Sequence, residues 1–136
     1  MSTTITATKL VVRDVAATER FYVALGLKVV SRNVGGEAEV RQQQSWLSAT
    51  GDASSHLLIL SRFLELAPPA RRDYPGEAWL AVNVADVDAM LATVEKSGGR
   101  ILRPGQDRPE HGVRAAVVSD PEGHIIEVVG PMRGDG

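Results

Sequence analysis

One carboxylate, Glu127, stands in the middle of an apolar run, HIIEVVG, that follows a tight turn at Asp120-Pro121-Glu122-Gly123. The run reads as a strand, and carboxylates are almost never buried without a partner. In such a setting a carboxylate can serve as a general base, a metal ligand or the anionic half of an ion pair. Few other groups could join it. Cysteine is absent, which excludes disulfides, thiolate metal sites and Cys nucleophiles. His56 precedes Ile59 by three residues and His124 precedes Glu127 by three, so strand alternation turns both away from the face of Glu127. His111 lies in RPGQDRPEHG, read as a Gly- and Pro-rich loop able to fold over a cleft.

The bulk composition narrows the classes of function. A chain of 136 residues, 43% apolar and 24% charged, has the length and balance of one globular domain. Its net charge is -2 and no Lys/Arg run could track a phosphate backbone, which argues against nucleic acid. The opening MSTTITATKLVV lacks a basic region followed by a long apolar run, and no segment reaches the roughly 18 apolar residues of a membrane helix. The expectation is a cytoplasmic protein without a membrane partner.

The elements that must position Glu127 come in a repeat. KLVV leads through Arg13-Asp14-Val15 into AATERFYVAL, then Gly26-Leu27 and KVV. WLAVNV leads through Ala85-Asp86-Val87 into DAMLATVEKS, then Gly98-Gly99 and RIL. Pairing Asp14 with Asp86 sets an offset of 86 − 14 = 72, which also pairs Val15 with Val87, Gly26 with Gly98 and Val29 with Ile101. Each Asp can cap a helix by accepting from first-turn N–H groups, and each Gly can end it in a left-handed turn. Val15, Phe21, Tyr22 and Leu25 recur at helical spacing, as do Val87, Met90, Leu91 and Val94, giving each helix one face to bury. The strands EVRQQQSWLSA and SHLLILSR complete the first half, and GVRAAVVS and HIIEVVG the second. Asp52 matches Asp120 at an offset of 68.

These patterns predict an α+β chain of two βαβββ modules, residues 5–61 and 78–130, forming a curved eight-stranded sheet around a cleft. Residues 62–77 read as a connector, with one helical turn before Pro68-Pro69, and 131–136 as a flexible tail. Arg133-Gly134-Asp135 spells an adhesion tripeptide, taken here as chance.

VVRDVAATERFYVALGL and SDPEGHIIEVV resemble the opening and closing motifs of the vicinal oxygen chelate superfamily, over roughly residues 5–130. That family holds glyoxalase I, extradiol dioxygenases, methylmalonyl epimerase, fosfomycin-resistance enzymes and bleomycin-resistance binding proteins. In its metal-dependent members the resemblance implies a His on the first strand of each module and a Glu on the last strand, with a fourth ligand on the last strand of the first half in some. These positions fall on Ala7, Trp79, Glu127 and Ile59. Only Glu127 can bind a metal, so the resemblance implies a member without a metal cofactor. A relocated site using His111 and Glu127 is the alternative.

Strand alternation groups Ala7, Lys9 and Val11 with Trp79, Ala81 and Asn83 and with Ile125, Glu127 and Val129 on the cleft-facing side. Lys9 is the expected partner of Glu127, its ammonium standing in for the metal charge; the bland reading is an ion pair that only fills the site. Trp79 and Trp46, with Asn83, Gln42, Gln44, Arg114 and His111, describe a pocket for a planar or cyclic organic molecule. The leading expectation is a homodimeric small-molecule binder like the drug-sequestering resistance proteins. The rival is an enzyme, a lyase, isomerase or dioxygenase, with Glu127 as base beside Lys9 or Arg114, or as a metal ligand.

Overall fold

The computed structural model describes residues 2–65 and 77–134. The chain divides into two compact units, Met1–Asp73 and Tyr74–Gly136, each a βαβββ module. The first contains β1 (Ala7–Val11), α1 (Val15–Ala24), β2 (Lys28–Gly35), a 3-10 turn (Ala38–Val40), β3 (Gln42–Ser48) and β4 (Leu57–Phe63). The second contains β5 (Leu80–Asn83), α2 (Val87–Lys96), β6 (Arg100–Arg108), β7 (Val113–Ser119) and β8 (Ile125–Gly130). The expected α+β class and the module order hold.

The repeat extends to single hydrogen bonds. Asp14 accepts from the Ala17 N–H at 2.9 Å, and Asp86 from the Ala89 N–H at 3.1 Å. Past each helix the chain turns through a glycine of positive φ, Gly26 at 113° and Gly98 at 95°. The turn is closed by Leu27 N–H on the Tyr22 carbonyl and Gly99 N–H on the Val94 carbonyl. Both bonds obey the 72-residue offset. Each unit forms a four-stranded mixed sheet, β1-β4-β3-β2 in one and β5-β8-β7-β6 in the other, parallel only where first and last strands meet.

Burial separates the two faces of each sheet. Leu10, Leu47, Leu58 and Leu60 are buried with Phe21 and Tyr22 of α1, whose rings meet edge to face at 5.1 Å. Ile126, Val128, Ala116 and Val118 are buried with Val87, Leu91 and Val94 of α2. Leu25 and Met90, expected on the buried helix faces, are only half-buried. On the other face of β8, Glu127 is exposed while its neighbours Ile126 and Val128 are buried.

Three local expectations change. The stretch read as a loop at RPGQDRPEHG is strand as far as Arg108, because β6 is an edge strand with irregular pairing between Ile101 and Gln106, and such a strand tolerates Pro104. The strand expected from Glu39 begins at Gln42, after the 3-10 turn. Residues 131–134, expected as a free tail, are held: the N–H groups of Arg133 and Gly134 donate to the two carboxylate oxygens of Asp107, each at 3.0 Å. β4 runs on to Phe63, two residues into the expected connector, and the rest of the expected helical turn, from residue 66, lies with Asp135 of the tripeptide outside the described residues.

Candidate functional site

Register fixes the neighbours of Glu127. It lies between Ala81 on the parallel strand β5 and Val117 on the antiparallel strand β7. The matching row of the first sheet is Lys9, Ile59 and Trp46. Ile59 thus occupies the place of Glu127, as the 68-residue offset predicts, and Lys9 the place of Ala81.

On its open face the second sheet forms a hollow of about 650 Å³. Glu127, Trp79 and His111 line it, together with Arg103, Arg108 and Val117. Trp79 is 52% exposed, so its ring is available to a ligand rather than consumed by the core. Asn83 is exposed on the same strand face as Ala81, level with Val129. Among the described residues of the second unit no ion pair reaches Glu127. Three cationic or protonatable groups of this hollow, Arg103, Arg108 and His111, come from or follow β6, which the Pro/Gly content disguised as loop. Arg103 and Arg108 stand five positions apart, so plain alternation would put them on opposite faces, and the register shifts of β6 bring both to the hollow.

Arg114 departs from its expected place. Val113, Ala115 and Val117 line the hollow, and Arg114, three residues from Val117, points to the helix side. There it donates to Asp88 of α2 at 3.1 Å and to Asp107 of β6 at 3.2 Å. A side chain on Gly105 would come within 2.9 Å of Arg114 Nε and Asp88 Oδ1, so glycine makes room for the pair. Asp88 raises the guanidinium's pKa first, then Asp107. The Asp107 carboxyl is held below the usual range chiefly by the Arg133 N–H, with Gly134 and Arg114 adding to it.

In the first unit, Lys9 Nζ donates to Gln42 Oε1 at 2.9 Å and Trp46 Nε1 to Gln44 Oε1 at 2.9 Å. Neither is on the helix side. The histidines outside the hollow have local partners: His56 Nε2 lies 2.8 Å from Thr8 Oγ1, and His124 Nδ1 lies 2.8 Å from the buried Asp120 carboxylate.

A twofold βαβββ arrangement with capped helices and mixed four-stranded sheets defines a known class of α+β protein. The profile of the Glyoxalase/Bleomycin resistance protein/Dioxygenase superfamily matches residues 4–128, and the chain belongs to that family. A glyoxalase family protein from Bacillus cereus superposes with a TM-score of 0.74 at 21% identity, over 93% of this chain and 92% of that one. A glyoxalase-related enzyme from Fulvimarina pelagi gives 0.62 at 28% identity, over 98% and 94%. Trypanothione-dependent glyoxalase I from Leishmania major gives 0.69 at 25% identity, over 95% and 87%. In sequence, an uncharacterized protein of Mycolicibacterium smegmatis is 35% identical over 71 residues, which is 52% of this chain and 59% of that relative.

The donor set does not fit the metal that the family's metal-dependent members hold. Of the four ligand positions, Ala7, Ile59 and Trp79 offer no donor, and Glu127 alone offers one. Among the described residues no three His, Asp or Glu side chains cluster as a metal site would require. His111, Glu110 and Glu127 all line the hollow, but they do not converge into a cluster that could hold a metal ion.

Proposed function

We propose that this protein binds a small planar or cyclic organic molecule on the open sheet faces, without a resident metal, in the manner of the family's drug-sequestering members. The observation that carries the reading is the hollow of about 650 Å³ in the second unit, where an exposed indole, a carboxylate and an imidazole border an apolar floor. That volume lies within the range of about 300–1,000 Å³ usual for small-molecule pockets. In the second unit Trp79, Asn83, His111 and Glu127 offer the contacts to such a ligand; in the first, Lys9 and Trp46 stand on the open face of their own sheet. Arg114 holds the frame. The test is tryptophan fluorescence against a library of aromatic compounds, with Trp79→Ala alongside. Saturable quenching that weakens about tenfold or more in the variant supports the reading; no response from any compound overturns it.

Within the second unit no described cation forms an ion pair with Glu127, which favours a second reading, an isomerase or lyase in which Glu127 is the general base. Glu127→Gln separates the two. Binding retained with turnover abolished makes the protein an enzyme; no turnover by either form, with binding only weakened, leaves it a binder.

We further propose a cytoplasmic homodimer. Ile5 at 81% and Val34 at 55% exposure leave apolar surface that a second copy would cover. Sedimentation at micromolar concentration should give twice the chain mass, and a monomer there overturns the dimer. Recovery of the protein in a membrane fraction would do the same for the location. Among the described residues no helix is long and apolar enough to cross a membrane.

A further inference from the structure

The open face of the first sheet carries a hydrogen-bond ladder that runs in one direction. Gln42 Nε2 donates to the Val40 carbonyl at 3.0 Å, and a carbonyl can only accept, so the Gln42 amide is oriented. Its Oε1 then accepts from Lys9 Nζ at 2.9 Å, from Gln44 Nε2 at 3.2 Å and from the buried Ser61 hydroxyl. Gln44 Oε1, left facing the other way, accepts from Trp46 Nε1. The indole N–H is consumed inside the ladder, and the half-buried ring offers a ligand its π face. Behind the ladder, the turn that aims the Val40 carbonyl is tightly constrained. Gly36 has φ 81°, Ala38 has φ 52°, and a Cβ on Gly36 would lie 2.3 Å from that carbonyl oxygen.

Lys9 ends the ladder as a placed charge. One of its three N–H donors is held by Gln42; within the first unit no described carboxylate pairs with it. Its neighbours on this face, Ala7, Val11, Ile59 and Trp46, carry no charge. Lys9, Ile59 and Trp46 form one row across three adjacent strands, which sets the Lys9 Cα about 9–10 Å from the Trp46 Cα with Ile59 between them, the Lys9 side chain leaning toward Gln42. An aromatic acid has that shape. Its ring would cover Ile59 and Trp46 while its anionic oxygen met the ammonium.

We propose that Lys9, held by Gln42 in the row with Ile59 and Trp46, is an anion subsite that takes the anionic oxygen of a planar aromatic ligand. The inference rests on the reading that the protein binds a planar organic molecule, and narrows that molecule to an aromatic acid. A purely structural Lys9 would serve only to satisfy Gln42.

The experiment compares 2-naphthoate with its neutral isostere 2-naphthamide, following both indole N–H signals by two-dimensional NMR in the full chain. The acid should bind about tenfold or more tighter than the amide and shift the Trp46 signal. Lys9→Met should abolish that preference and Lys9→Arg should keep it, with the rest of the spectrum unchanged. Equal binding of acid and amide overturns the subsite while leaving the planar-ligand reading intact. A preference that survives in Lys9→Met also overturns it. If neither compound moves any signal, the subsite falls, while the planar-ligand reading stands or falls on the compound library. Should Lys9→Met not fold, the acid-to-amide ratio in the unmodified protein and in Lys9→Arg still decides.

Discussion

Glu19 shows what a partnered carboxylate looks like in this protein. It accepts from Arg32 Nε at 2.8 Å and from the hydroxyl of the fully buried Ser45 at 2.7 Å. Arg32 is the main cause that holds its carboxyl below the usual range, against an opposing push from burial. Because the folded pKa is lowered, this contribution to stability is present above the ordinary glutamate value of about 4.3 and is lost as the pH falls through the folded value. Urea unfolding across that window should show an acid limb that is shallower in Glu19→Gln. Glu19→Ala should cost about 1–3 kcal/mol at neutral pH, since it strands the Ser45 hydroxyl. Glu127 behaves oppositely. Ile126→Ala should cost about 2–5 kcal/mol, whereas Glu127→Ala, one residue along and facing out, should stay within about 0.5 kcal/mol. Chemical denaturation of the two variants checks the contrast, and equal costs would mean that Glu127 is a structural group. The position of Glu127 was legible because alternation along HIIEVVG is a local property. The facing of Arg114 was not, since GVRAAVVS is nearly uniform in polarity around it and either phase satisfied the pattern.

Among the elements, the helices were the most legible. Asp, an apolar 3.6-residue period and Gly are all encoded within a few neighbouring positions, and the same set occurs twice. Asp86→Ala should therefore cost about 1 kcal/mol by removing the bond to the Ala89 N–H, measured as a fall in Tm. The turn between β2 and β3 was less legible, because its constraint is a contact between Gly36 and Val40 rather than a residue preference. Gly36→Ala should lower Tm by several degrees, through left-handed strain of about 1 kcal/mol and a displaced Val40 carbonyl. It should also shift the emission of Trp46, which hangs on the far end of the ladder that this carbonyl orients. Unchanged emission in a folded Gly36→Ala protein would mean that the ladder does not depend on the turn. Edge strand β6 hid for a different reason. Proline and glycine are poor strand formers in general, and only a position at the sheet margin makes them acceptable.

For the molecule as a whole, the two units share one plan and differ in what their open faces carry. The first presents an ammonium, amides and an indole; the second presents a hollow with two carboxylates, an imidazole and two guanidinium groups. The four positions at which the family's metal-dependent members place ligands retain one donor between them. Exhaustive chelation should accordingly leave Tm and the binding of aromatic compounds unchanged, and divalent zinc, nickel or manganese should not raise Tm. Stoichiometric metal in the purified protein, by elemental analysis, would overturn the metal-free reading.

The sequence by itself determined the two-module plan, the helix caps and the inward and outward positions of most strands, because each follows from spacing along the chain; the family was carried by the likeness of its opening and closing motifs. Tertiary structure decided the rest. Which strand lies at an edge, how a bulge shifts the register, and which acceptor orients an amide all depend on residues distant in sequence. Gln42 lies 33 residues from Lys9, and Arg114 lies 26 from Asp88. No local pattern announces either contact, since the pairing exists only once the strands or the helix have been brought alongside.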